Sequence, residues 1–277
     1  MVILAGQQVK PGRAVLAGKS LIWLMICALP SPKPGRCADV ITFKWGKGMT
    51  TDRSGPRFYG RRIGRPLRAG MQALLADQLP ALRFDLKQAV AEQFANTTNM
   101  AADLALEIGF GGGEHLAGLA EANPTTNFIG AEPFVNGVAS LLRHMQTRNL
   151  SNIRIWDDDV RLVLPALPAA GLASVYIMFP DPWPKKRHAA RRILQADMMD
   201  ILAHLIRPNG QLVLASDDPT AKIWLLQTAL AHAQFHWTAR RPADWRHRPP
   251  QLPATRYMNK AEQAGRQPSW FVFERYP

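Results

Sequence analysis

Short apolar runs and amphipathic stretches alternate through most of this chain, and that alternation constrains the fold more than any other feature. The apolar runs cover residues 104–108, 127–132, 152–156, 174–179 and 211–215. Each has strand length, and the β-branched and aromatic residues in them favour extended backbone. Between them the pattern predicts helices opening near Gly113, over 133–147, over 160–166, over 193–206 and from Ser216 to about Ala231. Pro208-Asn-Gly210 reads as the break between the fourth of these helices and the strand after it. Repeated strand–helix–strand units build a parallel sheet covered on both faces. Two further strands, over 235–238 and 270–274, are joined by a long loop at 240–268. The pattern therefore predicts an α/β fold with a doubly wound, mostly parallel, seven-stranded sheet. Ahead of it, residues 71–82 read as a short helix, and residues 84–94 as loop with partial helix.

Open sheets of this kind bind ligands beyond the carboxyl ends of their strands. The first strand runs into Gly109, Gly111, Gly112 and Gly113. Glycines there permit a tight turn and close approach of backbone to a ligand. The loop's chemistry argues against a pyrophosphate: Glu114 stands at the helix start where phosphates would sit, and Glu107 ends the strand just before the glycines. S-adenosylmethionine, with its sulfonium and ammonium groups, suits such a loop. The second strand ends in Glu132, 25 residues after Glu107, where an acid can accept from both hydroxyls of a ribose. The third is followed by Asp157-Asp158-Asp159. One of these acids can take the exocyclic amine of adenine, and the others can cap the next helix.

The fourth strand stops at Pro180 and gives Phe179-Pro-Asp-Pro-Trp-Pro-Lys-Lys-Arg-His188, then Arg191-Arg192. The prolines hold a stiff turn, so Asp181 and Trp183 sit fixed at a strand end beside five basic residues, Lys185, Lys186, Arg187, Arg191 and Arg192. Basic side chains near a helix N-terminus oppose its dipole, which points to an anionic partner. The formal net charge of +13 agrees, and favours nucleic acid over a membrane surface. Residues 53–68 add a basic arm with six arginines, and the 240–268 loop carries seven Lys or Arg with Trp245.

The first fifty residues differ from the rest. A basic start, a short apolar run at 20–29 and a proline-rich stretch resemble a secretory signal, but the run is too short to span a bilayer. Export fits poorly with nucleic acid and an intracellular cofactor. Met49-Thr-Thr-Asp-Arg-Ser54 reads as a cytosolic amino terminus, and residues 1–48 as an upstream misassigned start. Without those residues the charge would be +7, because they hold seven Lys or Arg and one acid. Both cysteines, Cys27 and Cys37, lie there, so the body has no disulfide framework, and its histidines lack zinc spacing. No metal site is expected, and the histidines read as structural or solvated.

Methyl transfer to a base nitrogen is an in-line displacement in which positioning carries most of the catalysis. A carboxylate near the acceptor helps as positive charge arrives there. Guanine nitrogen-7 already has a free lone pair. For that acceptor Asp181 would orient the base by accepting from its N–H edge and would not need to remove a proton.

With these motifs the sequence resembles the bacterial tRNA (guanine-N(7)-)-methyltransferases over residues 58–276. The resemblance rests on Phe58-Tyr-Gly-Arg-Arg62, Leu106-Glu-Ile-Gly-Phe-Gly-Gly-Gly-Glu114, the Phe179 to His188 run with Arg191-Arg192, and Thr255-Arg-Tyr257 with Lys260-Ala261. It implies a class I, Rossmann-like methyltransferase that uses S-adenosyl-L-methionine on a guanosine in the tRNA variable loop, position 46, in the cytoplasm. It assigns Glu107, Glu132 and Asp158, with the Gly109 and Gly111 turn, to the cofactor. Asp181 serves catalysis and the cofactor side together. Lys185, Asp217, Thr255, Arg256, Tyr257 and Met258 fall to the tRNA substrate. Met258 stands where the family has glutamate, and a thioether cannot replace that acceptor; Glu262 is one turn away if the segment is helical. The implied layout is an extension at 1–50, an arm with helices at 51–100 and the methyltransferase domain at 101–277, as a monomer or homodimer without a membrane or an obligate protein partner. The other readings are an amino-methyltransferase acting on adenine or cytosine, and a non-catalytic RNA-binding module on the same fold.

Overall fold

The computed structural model describes residues 58–95 and 102–277. The 1–50 extension and the Met49 start lie outside the described residues. Alternation of side-chain direction along the strands decides which side chain meets which helix layer. In β1 (Leu104–Ile108), Leu104, Leu106 and Ile108 enter one apolar cluster and Ala105 the other. β4 (Leu172–Met178) and β5 (Ile206–Ser216) repeat the pattern: Val175, Ile177, Leu212 and Leu214 on one face, Met178, Val213 and Ala215 on the other. Two-residue periodicity thus builds two cores, one on each side of a single sheet.

The sheet has seven strands, the number the sequence predicts, in the order β3-β2-β1-β4-β5-β7-β6. β2 is Asn127–Ala131, β3 Ile153–Trp156, β6 Phe235–Trp237 and β7 Ser269–Arg275. The strands β1 to β5 pair in parallel, and β7 runs antiparallel between β5 and β6. Helix α1 spans Ala69–Asp77 and α2 Leu79–Leu82, so the expected single helix is broken; Pro80 opens the second piece, where its missing N–H costs nothing. The remaining helices are α3 (Val90–Gln93), α4 (Glu114–Ala122), α5 (Val135–Arg148), α6 (Val160–Val163), α7 (Ala196–Leu205), α8 (Pro219–Leu230), α9 (Ala243–Arg246) and α10 (Arg256–Gln263). Among the described residues no helix is long and apolar enough to cross a membrane.

Three expectations need correction. Pro208-Asn-Gly210 lies inside β5, as a bulge: Leu172 pairs with Ile206 and Ser174 with Gln211, so four residues loop out against one. Asn209 turns there with φ +60°. The preceding helix ends at Leu205, because β4 captures Ile206 as a strand partner. The 240–268 segment is not one loop, since it contains α9 and α10.

Candidate active site

Chain order reverses between β1 and β4, which are hydrogen-bonded neighbours, so the crevice at their carboxyl ends is the switch point of the sheet. Both motifs singled out in the sequence emerge there. After β1 the backbone turns left-handed at Gly109 (φ +74°), Gly111 (φ +54°) and Gly113 (φ +77°). Gly113 is also packed: a Cβ on it would stand 2.7 Å from the Leu141 Cβ. At Gly109, Gly111 and Gly112 a Cβ would meet nothing within 4 Å. These three border open space, a cradle suited to a ligand lying on bare backbone. A cavity of about 270 Å³ occupies it, lined by Glu107, the glycines, His115, Phe179 and residues of α10.

The acids around this cavity are held by their own chain. Glu107, 1% exposed, takes His115 Nδ1 at 2.8 Å. Glu132 accepts the Gly111 N–H at 2.8 Å and the Phe134 N–H at 3.0 Å, so it fastens the glycine loop to the end of β2. Burial raises the Glu132 carboxyl above its ordinary range; the two N–H donors oppose that, and the negative charges of Asp181 and Glu107 reinforce it. Three carboxylates from three strand ends therefore share one field, which suits a cationic ligand and repels phosphate. Of the acids after β3, Asp159 caps α6 by accepting from Arg161 N, Asp157 forks with Arg83, and Asp158 pairs with Arg62 at 2.6 Å. The basic arm is tied to the site at that point.

Beyond β4 the turn is strained as well as stiff. Phe179 (φ +53°) and Trp183 (φ +41°) bracket Pro-Asp-Pro in the left-handed region, which bulky side chains rarely adopt. Several contacts over-determine it. Phe179 N–H donates to the Ala215 carbonyl at 2.8 Å, and Arg192 donates to the Trp183 carbonyl at 3.2 Å. The Arg191 guanidinium stands 4.8 Å from the Tyr59 ring and 5.0 Å from the Trp183 ring. Trp183 is thus engaged in closing the turn. The Asp181 side chain is exposed, and among the described residues no hydrogen bond or ion pair reaches it. Lys185 is exposed ahead of a 3-10 turn over Lys186–Arg191.

The α10 residues divide by direction. Thr255, buried, accepts from Met258 N at 3.3 Å and so starts the helix. Arg256 is clasped by Glu114, which takes its backbone N–H at 2.7 Å and its guanidinium at 3.1 Å. Tyr257 lies against Phe179 with ring centroids 4.9 Å apart. Met258 is 4% exposed and belongs to the apolar core. A thioether is at ease in that place, so the departure from the family pattern is matched by its surroundings. Asp217, also buried, is bound by Arg266 at 2.7 Å.

The sequence places Glu114 at the ligand but gives it no partner, and gives His115 and Arg62 no role beside the cofactor acids. His115, expected to be structural or solvated, is the buried partner of Glu107; among the described residues its Nε2 has no hydrogen-bond partner, and its ring meets Tyr176 edge-on at 5.5 Å. The usable signal was its place in the first turn of the helix that follows the glycines. Among the described residues no group of three His, Cys, Asp or Glu could hold a metal ion.

Comparison with known proteins follows the same lines. The family model described as "Putative methyltransferase" matches residues 101–270. The tRNA (guanine-N(7)-)-methyltransferase of Rhodospirillum rubrum is 46% identical over 225 residues, which covers 80% of this chain and 88% of that protein. Its namesake in Paramagnetospirillum magneticum is 45% identical over 232 residues, covering 79% and 93%. That of Rhizobium meliloti is 42% identical over 219 residues, covering 79% and 94%.

Proposed function

The chain belongs to the tRNA (guanine-N(7)-)-methyltransferase family, and we propose that it methylates nitrogen-7 of a guanosine in the variable loop of tRNA, position 46, in the cytoplasm, with S-adenosylmethionine as donor. The observation that carries the reading is the meeting of an open glycine cradle and an unpartnered Asp181 at one switch point. The donor, when bound, supplies an electrophilic methyl group on a sulfonium. The residues present fit it: bare backbone at Gly109, Gly111 and Gly112, and carboxylates where a cation would lie.

Each carboxylate oxygen has two acceptor positions. Glu132 spends one per oxygen on Gly111 and Phe134, and keeps the others for ribose hydroxyls. Glu107, oriented by His115, keeps its second oxygen for the ligand's cationic end. Asp158, held by Arg62 through one oxygen, has the other for the adenine amine. On the acceptor side Asp181 takes the ring and exocyclic N–H groups of guanine and turns nitrogen-7 toward the methyl group. Nitrogen-7 carries no proton, so no base is needed. Lys185 and its basic neighbours receive the phosphate backbone, and Asp217 and the 255–258 segment border the substrate. A tRNA is the partner expected, with no obligate protein partner.

Labelled donor and tRNA transcripts, followed by nucleoside mass spectrometry, test the reading. The expected label is in 7-methylguanosine; label in methyladenosine or methylcytidine would sink it, and tRNA retention without turnover would favour a binding module.

A further inference from the structure

A second cavity, of about 640 Å³, borders the first, and Met258 lines both. Arg246, His247 and Arg248, at the end of α9, face it together with Arg266, over a floor that includes Trp270. Among the described residues lining it, none is acidic. Arg266 is already bound by Asp217 at 2.7 Å. Arg246 stands 4.7 Å from the ring of Trp245, and Arg248 donates to the Leu252 carbonyl; neither has a carboxylate partner among the described residues. Two guanidinium groups lining one cavity, Arg246 and Arg248, repel one another, and a bound anion would relieve that repulsion.

The position is informative too. Ser269 of β7 pairs with Ser216 at the carboxyl end of β5, so residues 265–268 stand at the same edge of the sheet as Asp181. The volume far exceeds one small ion and suits a sugar–phosphate unit. Guanidinium forks match phosphate geometry. We propose that this cavity holds a backbone phosphate of the RNA, next to the nucleotide presented to Asp181. The proposal rests on the function given above and adds a contact that the motifs of the sequence did not assign.

Arg246 is exposed, so its substitution leaves the core intact. The experiment uses the full chain, with tRNA filter binding from about 50 to 300 mM salt and KM values for tRNA and donor. Arg246→Gln should weaken tRNA binding about tenfold and flatten the salt slope by about 0.7–0.9, with the donor KM unchanged. Arg246→Lys, which keeps the charge, should recover most of the slope. Unchanged tRNA affinity and slope, in Arg246→Gln and in the double variant with Arg248→Gln, overturn the proposal. A free anion has the same chemistry. Loss of sensitivity to inorganic phosphate at constant ionic strength, with tRNA binding as in the parent, would assign the cavity to that ion and also overturn it. Binding is read without turnover, so a parent that retains tRNA but makes no 7-methylguanosine counts against the function and not against the cavity.

Discussion

On the β1 and β2 side of the site, the acids are buried and hold partners from their own chain: Glu107 takes His115, and Glu132 takes two backbone N–H groups. On the β4 side Asp181 is exposed and unpartnered, on a turn bracketed by left-handed Phe179 and Trp183. The first wall is complete before any ligand arrives; its own partners offset part of its burial cost, and burial still raises the Glu132 carboxyl. The second keeps its acceptor capacity for something that comes from outside, and stores strain to aim it. A small cofactor and a large polyanion call for these two designs. The cofactor needs a preformed cradle, and the nucleic acid needs an open face with positive charge around one carboxylate.

Removing the exposed acid tests the division most severely. Asp181→Ala should lower turnover about 10²–10³-fold while filter binding of tRNA stays close to the parent. An equal loss of tRNA affinity would make Asp181 a binding residue and erase the contrast. The glycine wall is tested next, by two neighbouring substitutions. Gly113→Ala meets both positive φ and the Leu141 Cβ, and should cost about 2–3 kcal/mol in denaturant unfolding. Gly112→Ala points into open space, so its stability should stay within about 0.5 kcal/mol of the parent while the donor KM rises. Normal donor binding in that variant would show that the open space is not the cradle.

A smaller effect is expected where the arm meets the turn. Arg191→Ala removes the cation between Tyr59 and Trp183 and should cost about 1 kcal/mol, read as a lower Tm with weaker tRNA binding. The smallest effect concerns Glu132. Burial raises its carboxyl above the ordinary value, so between the unfolded and folded values the folded chain keeps a proton that the unfolded chain has released. Stability from this group is therefore present at low pH and falls as pH climbs through the folded value. Glu132→Gln removes that fall. The Tm difference between variant and parent should shift in the variant's favour from about pH 4 to about pH 7; a constant difference would mean that Glu132 titrates alike in both states.

The strands were legible because most of them hold a short apolar run with a break at its end. The β5 bulge was not: Pro208-Asn-Gly210 looks like a terminator until Leu172 supplies Ile206 with a partner. Helix α10 was hidden in a proline-rich basic segment, where Thr255 as its cap was the local sign. In the site, Glu107, Glu132 and Asp181 stood out by their place at strand ends. The residues that hold them did not, since His115 and Arg62 acquire their meaning only from what lies beside them.

The sequence by itself determined the strands and helices, the left-handed glycine turn and the proline-locked acid, because these depend on side-chain periodicity and on backbone sterics within a few residues. Only the tertiary structure decided that β1 and β4 are neighbours, which brings the two motifs into one crevice from positions about seventy residues apart. It also decided that Met258 faces the core, that Arg62 reaches Asp158, and that Arg246 and Arg248 line a second cavity. Those outcomes depend on strand order and on helix faces, which are set by how the two cores pack against the sheet and by no local stretch of chain.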